Sequence, residues 1–507
     1  MAVKTAGDAP AYTPEQLQSV RQTLKSPRRL KTEVLGGLVV ALALIPEAIA
    51  FSIIAGVDPR LGLFASFTMA VTIAFVGGRP AMISAATGAV ALVIAPLVKS
   101  HGVDYLIAAV VLAGIFQIVL GLSGVARLMR FIPRSVMVGF VNALAILIFM
   151  SQVPELIGVP WLVYPLAALA LVIVFGLPKL TTAVPAPLVA IVALTLITVL
   201  ASIAVPTVGD KGELPDSLPS LFIPNVPFTL ETLQIIFPFA LAMAFVGLLE
   251  SLMTAKLVDD ITDTRSHKTR EAWGQGVANI VTGFTGGMGG CAMIGQTMIN
   301  VKASGARTRI STFLAGVFLL ILVVVLGGVV SVIPMAALVA VMIFVSWATF
   351  DWHSIHPRTL KMMPKSETLV MVATVIVTVA THNLAIGVGV GVLVAMVMFA
   401  RRVAHFVTVE RTVNNVEGHE TATYTVNGEL FFASSNDLYT QFEYALDPEH
   451  VVIDMYASHL WDASTIAALD AITEKYRAHG KDVKIIGLND ASLTMRERLG
   501  GKLGAGS

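Results

Sequence analysis

From about residue 33 to residue 405 the chain is a succession of long apolar runs broken by short polar stretches. Ile310 to Phe350 carries no charged side chain and is interrupted only by Pro334, and Met371 to Ala400 is likewise uncharged. One membrane-spanning helix needs about 20 apolar residues, so each run has room for two. The runs are continuous and rich in Leu, Ala and Val, without the alternation of barrel strands, and so predict helices. Twelve to fourteen segments can be counted, several of them too short to cross alone. After Arg402 the pattern changes to short strands and amphipathic helices. Strands are expected at 421–434, 450–457 and 482–488, and helices at 436–446, 463–480 and 491–499, which together make a small α/β layer.

The polar interruptions orient the segments. Lys and Arg cluster at Arg127, Arg130 and Arg134, at Arg265, Lys268 and Arg270, at Lys302, Arg307 and Arg309, at Arg358, Lys361 and Lys365, and at Arg401 and Arg402. With fourteen segments and a cytoplasmic N-terminus every cluster falls inside, as the distribution of positive loops requires, and the acidic stretch 208–220 falls outside. The first thirty residues are polar and show no cleavable signal pattern, so the first helix is expected to direct insertion into the cell (inner) membrane.

Composition removes several functions. A net charge of +1 gives no basic surface for nucleic acid. The single cysteine, Cys291, can form neither an internal disulfide nor a multi-thiolate metal site, and reads as a small buried apolar residue. His353 and His356 lack convergent partners and read as part of an interfacial loop rather than a metal site. No nucleophile, base and oxyanion set lies at depth, so neither an enzyme nor a cofactor is expected. Gln117, Asn142 and Gln152 are expected to make hydrogen bonds between helices.

Two stretches match each other: GGRPAMISAATGAVALVIAP at 77–96 and GGMGGCAMIGQTMIN at 286–300. Each opens on paired glycines, passes through a few small residues and starts a short helix. Interrupted segments at corresponding positions of two halves point to a transporter built from repeats. Two half-helices meeting near the midplane would aim unpaired N–H groups and positive dipole ends at one anion, without a cationic side chain. Glu47 and Glu250 lie inside apolar segments, where a carboxylate costs on the order of 3 kcal/mol and so faces a cavity or a partner. Removal from water favours the neutral carboxyl, which makes each a candidate proton carrier, and Thr254 lies one turn beyond Glu250 on the same face.

These residues resemble the sulfate permease (SulP, solute-carrier 26 type) family across almost the whole chain. The resemblance rests on GGLVVALALIPEAIAFSIIAGVDPRLGLFAS, ISAATGAV, IPRSVMVGFVNALAI, ESLMTAKLVDD with NIVTGFTGG, and VNGELFFASSNDL, which is similar to the opening of a STAS domain. It implies an α-helical membrane protein with 14 transmembrane segments in two inverted 7-helix repeats, about 33–205 and 231–405, divided into uracil-permease-like core and gate domains. A cytosolic segment 1–32 would precede them, and a cytosolic α/β STAS domain, 408–507, would follow. It also implies an elevator-type movement and a homodimer in surrounding membrane lipid. Substrate would sit between segments three and ten, against Ala86, Thr87, Gly88, Ala292, Met293, Ile294 and Gln296, with Glu47 nearby and Glu250 and Thr254 as the coupling residues. Many relatives carry an arginine where this chain has Gln296.

Without that arginine an incoming anion meets dipoles and a carboxylate, so protonating Glu250 should favour binding. The expectation is proton-coupled symport of a small carboxylate, a C4-dicarboxylate such as fumarate. Sodium-coupled bicarbonate or sulfate transport, or an anion channel of the same fold, are the alternatives. In the tail Ala463 occupies the position where STAS regulators carry their phosphorylated serine, so a folding or partner-docking role, with a cytosolic protein as partner, is expected there.

Overall fold

The computed structural model describes residues 18–124, 132–180, 186–404, 407–416, 419–435 and 438–500; Arg127 and Arg130 lie outside them. The chain divides into two compact units, Met1–Val392 and Leu393–Ser507.

Setting aside single-turn helices at Val20–Leu24 and Pro357–Met362, the first unit and its exit helix contain α1 (Pro27–Ala55), α2 (Pro59–Val76), α3 (Gly88–His101), α4 (Val103–Leu122), α5 (Arg134–Gln152), α6 (Val163–Leu180) and α7 (Ala186–Leu200). The second series is α8 (Leu230–Thr262), α9 (Lys268–Phe284), α10 (Ile294–Met298, continued by a wide turn at Ile299–Ala303), α11 (Arg309–Ser331), α12 (Met335–Thr349), α13 (Lys365–Thr381) and α14 (Leu384–Ala404). Eight of them, α1, α2, α4, α5, α6, α8, α11 and α14, are long and apolar enough to cross a membrane among the described residues. The first helix runs unbroken through Pro46.

Packing is symmetric on exchange of the two series. Helix α4 lies on α9 while α2 lies on α11, α1 packs on α11 while α8 packs on α4, and α13 on α5 mirrors α6 on α12. Two bundles result: α1–α4 with α8–α11, and α5–α7 with α12 and α13. Glycines allow the closest crossings. A Cβ on Gly114 of α4 would meet the Gly276 carbonyl of α9 at 2.6 Å, and one on Gly316 of α11 would meet the Phe67 carbonyl of α2 at 3.0 Å. Such small-residue seams are how helices associate where lipid removes the hydrophobic drive. Polar side chains join helices as well. Asn279 donates to Gln117 at 2.9 Å, and Asn142 donates to Ser354 at 2.9 Å. Gln152 instead donates to its neighbour Ser151.

Between the series two short strands, β1 (Ser84–Ala85) and β2 (Cys291–Ala292), pair antiparallel, with Ser84 opposite Ala292 and Ala85 opposite Cys291. They precede α3 and α10, so the two half-helices leave one seam in opposite senses. The seam's backbone is satisfied by protein, as non-helical backbone at membrane depth requires. Met293 N–H donates to Ile83 O at 2.9 Å, Ala292 N–H to Ser251 Oγ at 3.0 Å and Ile83 N–H to Thr297 Oγ1 at 3.0 Å. Asn279 brackets Gly290, accepting from its N–H at 2.9 Å and donating to its carbonyl at 3.1 Å. A Cβ on Gly290 would overlap the Ala85 carbonyl, so only glycine fits this approach.

The second unit carries a five-stranded sheet in the order β3 (Thr408–Val416), β4 (His419–Leu430), β5 (His450–Asp454), β7 (Asp482–Ile486), with β6 (Ser458–Leu460) paired to β4. Strands β3 and β4 are antiparallel and the other pairs parallel. Helices α15 (Ala463–Ala478) and α16 (Asp490–Leu499) complete it. Asp462 caps α15, accepting from Thr465 N–H at 3.0 Å. Three tail expectations are corrected, the first being the strand expected at 421–434, which ends at Leu430 and gives way to a helical turn at Phe432–Ser435. Strand β3 was not anticipated, because it is an exposed edge without an apolar face. Within 436–446, instead of a full helix, there is one tight turn, Leu438–Gln441. Phe442 and Tyr444 both enter the core, a spacing of two that a helix cannot direct to one side.

Candidate functional site

Where α3 and α10 begin, a cavity of about 620 Å³ opens between the two bundles. Its wall takes Glu47 and Phe51 from α1, Thr87 and Gly88 from the start of α3, Glu250 from α8, and Met293, Ile294, Gly295 and Gln296 from α10. Phe140, Leu144 and Ile148 of α5 and Val341, Phe344 and Val345 of α12 close the other side. Among the described lining residues there is no Lys, Arg or His.

Each polar wall residue has a local reason for its position. Thr87 has extended backbone and caps α3, accepting from Val90 N–H at 3.4 Å. Its hydroxyl also lies 3.1 Å from Cys291 Sγ. The Cys291 thiol donates to Glu250 Oε2 at 2.9 Å. Glu47 lies within hydrogen-bonding reach of the Gln296 side chain, and Gln296, only 1 % exposed, keeps its Oε1 without a hydrogen-bond partner among the described residues. An unpaired buried acceptor costs about 1–3 kcal/mol, and a ligand with a donor would relieve it.

Thus Glu47, Thr87, Gly88, Glu250, Met293, Ile294 and Gln296 come together on one cavity. Ala86 and Ala292 do not line it; both are fully buried in and beside the strand pair behind the wall. Thr254 is also buried away from it and spends its hydroxyl on the Glu250 carbonyl at 2.8 Å. Cys291 is more than the apolar filler its surroundings in the chain indicate, since it bridges Glu250 and Thr87. Asn279, which holds the seam with Ser251, and the apolar wall from α5 and α12 carried no local signal; their partners are remote in sequence.

An apolar cavity at the meeting point of two short helices, inside a two-series bundle with eight helices long and apolar enough to cross a membrane, is the architecture of a membrane carrier. Comparison with known proteins agrees. Residues 30–165 and 159–374 match the sulfate permease family, and residues 412–501 match the STAS domain. The protein YbaR of Bacillus subtilis (strain 168), whose name assigns it provisionally to sulfate transport, is 54 % identical over 93 % of this chain and 97 % of its own. The bicarbonate transporter BicA of Picosynechococcus sp. is 26 % identical over 75 % of this chain and 71 % of its own. Among solved structures, the transmembrane domain of a cyanobacterial BicA superposes with a TM-score of 0.63 at 26 % identity, covering 72 % of this chain and 98 % of that one. Murine Slc26a9 in its inward-facing state shares the fold, with a TM-score of 0.80 at 16 % identity over 99 % of this chain and 93 % of its own.

The chain belongs to the sulfate permease family and ends in a STAS domain. It is a multi-pass anion transporter, not an enzyme.

Proposed function

We propose that this transporter carries a small carboxylate, a C4-dicarboxylate such as fumarate, together with a proton taken up by Glu250. The supporting observation is the cavity wall, which holds the carboxyl groups of Glu47 and Glu250 and, among described residues, no basic side chain. Two like charges 4 Å apart repel by about 4 kcal/mol at an effective dielectric constant near 20. A dianion facing two ionised carboxylates therefore binds poorly until one of them is neutralised, which ties proton uptake to substrate uptake. Dipoles at the starts of α3 and α10 then supply the favourable charge. Phe51, Phe140, Leu144, Met293 and Phe344 favour an anion with carbon between its charges over a bare oxyanion.

Movement of the bundle α1–α4 with α8–α11 against the other bundle would expose the cavity to each side in turn, in a homodimer with both the N-terminus and the STAS domain in the cytoplasm. Sulfate is the second reading, favoured by the name given to YbaR. A compact sodium site of the Glu250–Thr254 type is disfavoured, because Thr254 is fully buried and does not line the cavity that Glu250 faces.

Reconstituted vesicles decide between these. An inward proton gradient should drive accumulation of labelled fumarate, and Glu250→Gln should abolish that gradient dependence while leaving the protein monodisperse. Sulfate accumulation indifferent to fumarate would replace the substrate assignment, unchanged pH dependence in Glu250→Gln would end the coupling assignment, and passive conductance without accumulation would indicate a channel.

A further inference from the structure

The chain Glu250–Cys291–Thr87 has a direction that proton counting reveals. A thiol has one proton, and here it is donated to Glu250 Oε2 at 2.9 Å. The contact between Thr87 Oγ1 and Cys291 Sγ, 3.1 Å long, must then be donated by the threonine hydroxyl. Thr87 therefore uses its only proton on sulfur and accepts from Val90 N–H, so it offers no donor to the cavity it lines.

We propose that Cys291 is a positioning residue that converts protonation of Glu250 into a hydrogen-bond donor at the anion site. This rests on the reading of Glu250 as the proton carrier. Once Glu250 is neutral, its carboxyl O–H donates to sulfur and the thiol proton turns about the Cβ–Sγ bond toward Thr87 Oγ1. The threonine O–H is released and swings into the cavity beside Gly88. The incoming proton stays on Glu250 and no other bond breaks; only two hydrogen bonds reverse. A wall without Lys, Arg or His thereby gains a side-chain donor at the start of α3 when the proton is bound.

Other charges stand apart from this chain. On the elements packed against α8, Lys99, His101, Asp104 and Tyr105 lie where α3 ends and α4 begins, Lys268, Arg270 and Glu271 open α9, and Lys302 follows α10. On α8 itself Glu231 opens the helix, and Lys256, Asp259 and Asp260 lie toward its far end. Glu47 shares the cavity, and Cys291 is the described residue whose side chain bonds to the Glu250 carboxyl.

The single cysteine makes the test direct, because the S–H stretch of the full-length protein arises from one group. In reconstituted membranes the band should move between mildly alkaline and mildly acidic buffer, and should stay fixed in Glu250→Gln. In uptake assays with labelled fumarate and with labelled sulfate, Cys291→Ala frees the Thr87 hydroxyl at every pH, so it should lower the KM in alkali about tenfold, the worth of one hydrogen bond, and leave it unchanged in acid. Cys291→Ser should restore the wild-type profile. A band that does not move with pH in the wild type overturns the relay, as does a folded Cys291→Ala protein with the wild-type KM profile. A moving band in a protein without gradient-driven uptake supports the relay and overturns proton-coupled transport instead. If Cys291→Ala does not fold, the spectra of wild type and Glu250→Gln decide alone.

Discussion

Gly88 and Gly295 face one cavity with opposite freedom. A Cβ on Gly88 would lie 2.9 Å from Phe51 Cε1 and 3.1 Å from Ile148 Cδ1, whereas one on Gly295 would meet nothing within 4 Å. The Gly88 neighbours are ends of movable side chains, so Gly88→Val should fold but fill the cavity and lower uptake more than tenfold. Gly295→Ala should keep wild-type stability and most of its uptake. Purification yield and vesicle uptake measured side by side check both. At this scale the sequence was informative where charge clashed with context, at Glu47 and Glu250, whereas Thr87 and Gln296 were reached through the family resemblance. Cys291 did not stand out, because a thiol in an apolar segment is chemically unremarkable until Glu250, 41 positions away, is seen beside it.

Among the helices, the α1–α11 contact depends on a residue that hydropathy does not single out. Glu33, 3 % exposed, accepts from the backbone N–H groups of Arg307 at 2.8 Å, Thr308 at 3.1 Å and Ser311 at 3.2 Å. A helix start carries unpaired donors and partial positive charge, so a carboxylate from a neighbouring helix both caps it and fastens the pair. Glu33→Ala leaves those donors unsatisfied and should destabilise the protein by about 3 kcal/mol. A lowered apparent Tm in detergent, with Glu33→Gln intermediate, is the expected result. The paired glycines at 77–78 and 286–287 made both half-helices legible. The antiparallel strands joining them were not legible, since a two-residue strand has no period to detect and its register depends on Asn279, Ser251 and Thr297 from elsewhere.

For the whole molecule, two units with separate hydrophobic cores predict separable behaviour. The C-terminal core is closed by Asp447, which is buried, pairs with Arg411 at 2.8 Å and accepts from the hydroxyls of Tyr424 and Tyr476. Such a unit supports its own fold, and none of the cavity-lining residues comes from it. Truncation after residue 405 should therefore preserve gradient-driven uptake per inserted molecule, while the amount reaching the membrane falls; quantitative labelling beside transport separates the two effects.

The strand pair at the centre has a consequence for how this architecture is put together. In an antiparallel ladder related by exchange of the two series, each strand gives the other what it receives, which is the arrangement of an isologous contact between identical subunits. The innermost joint of the transporter is thus a dimer interface enclosed within one polypeptide. The proposed anion site adjoins that joint, with Glu47 and Glu250 supplied by corresponding helices of the two series.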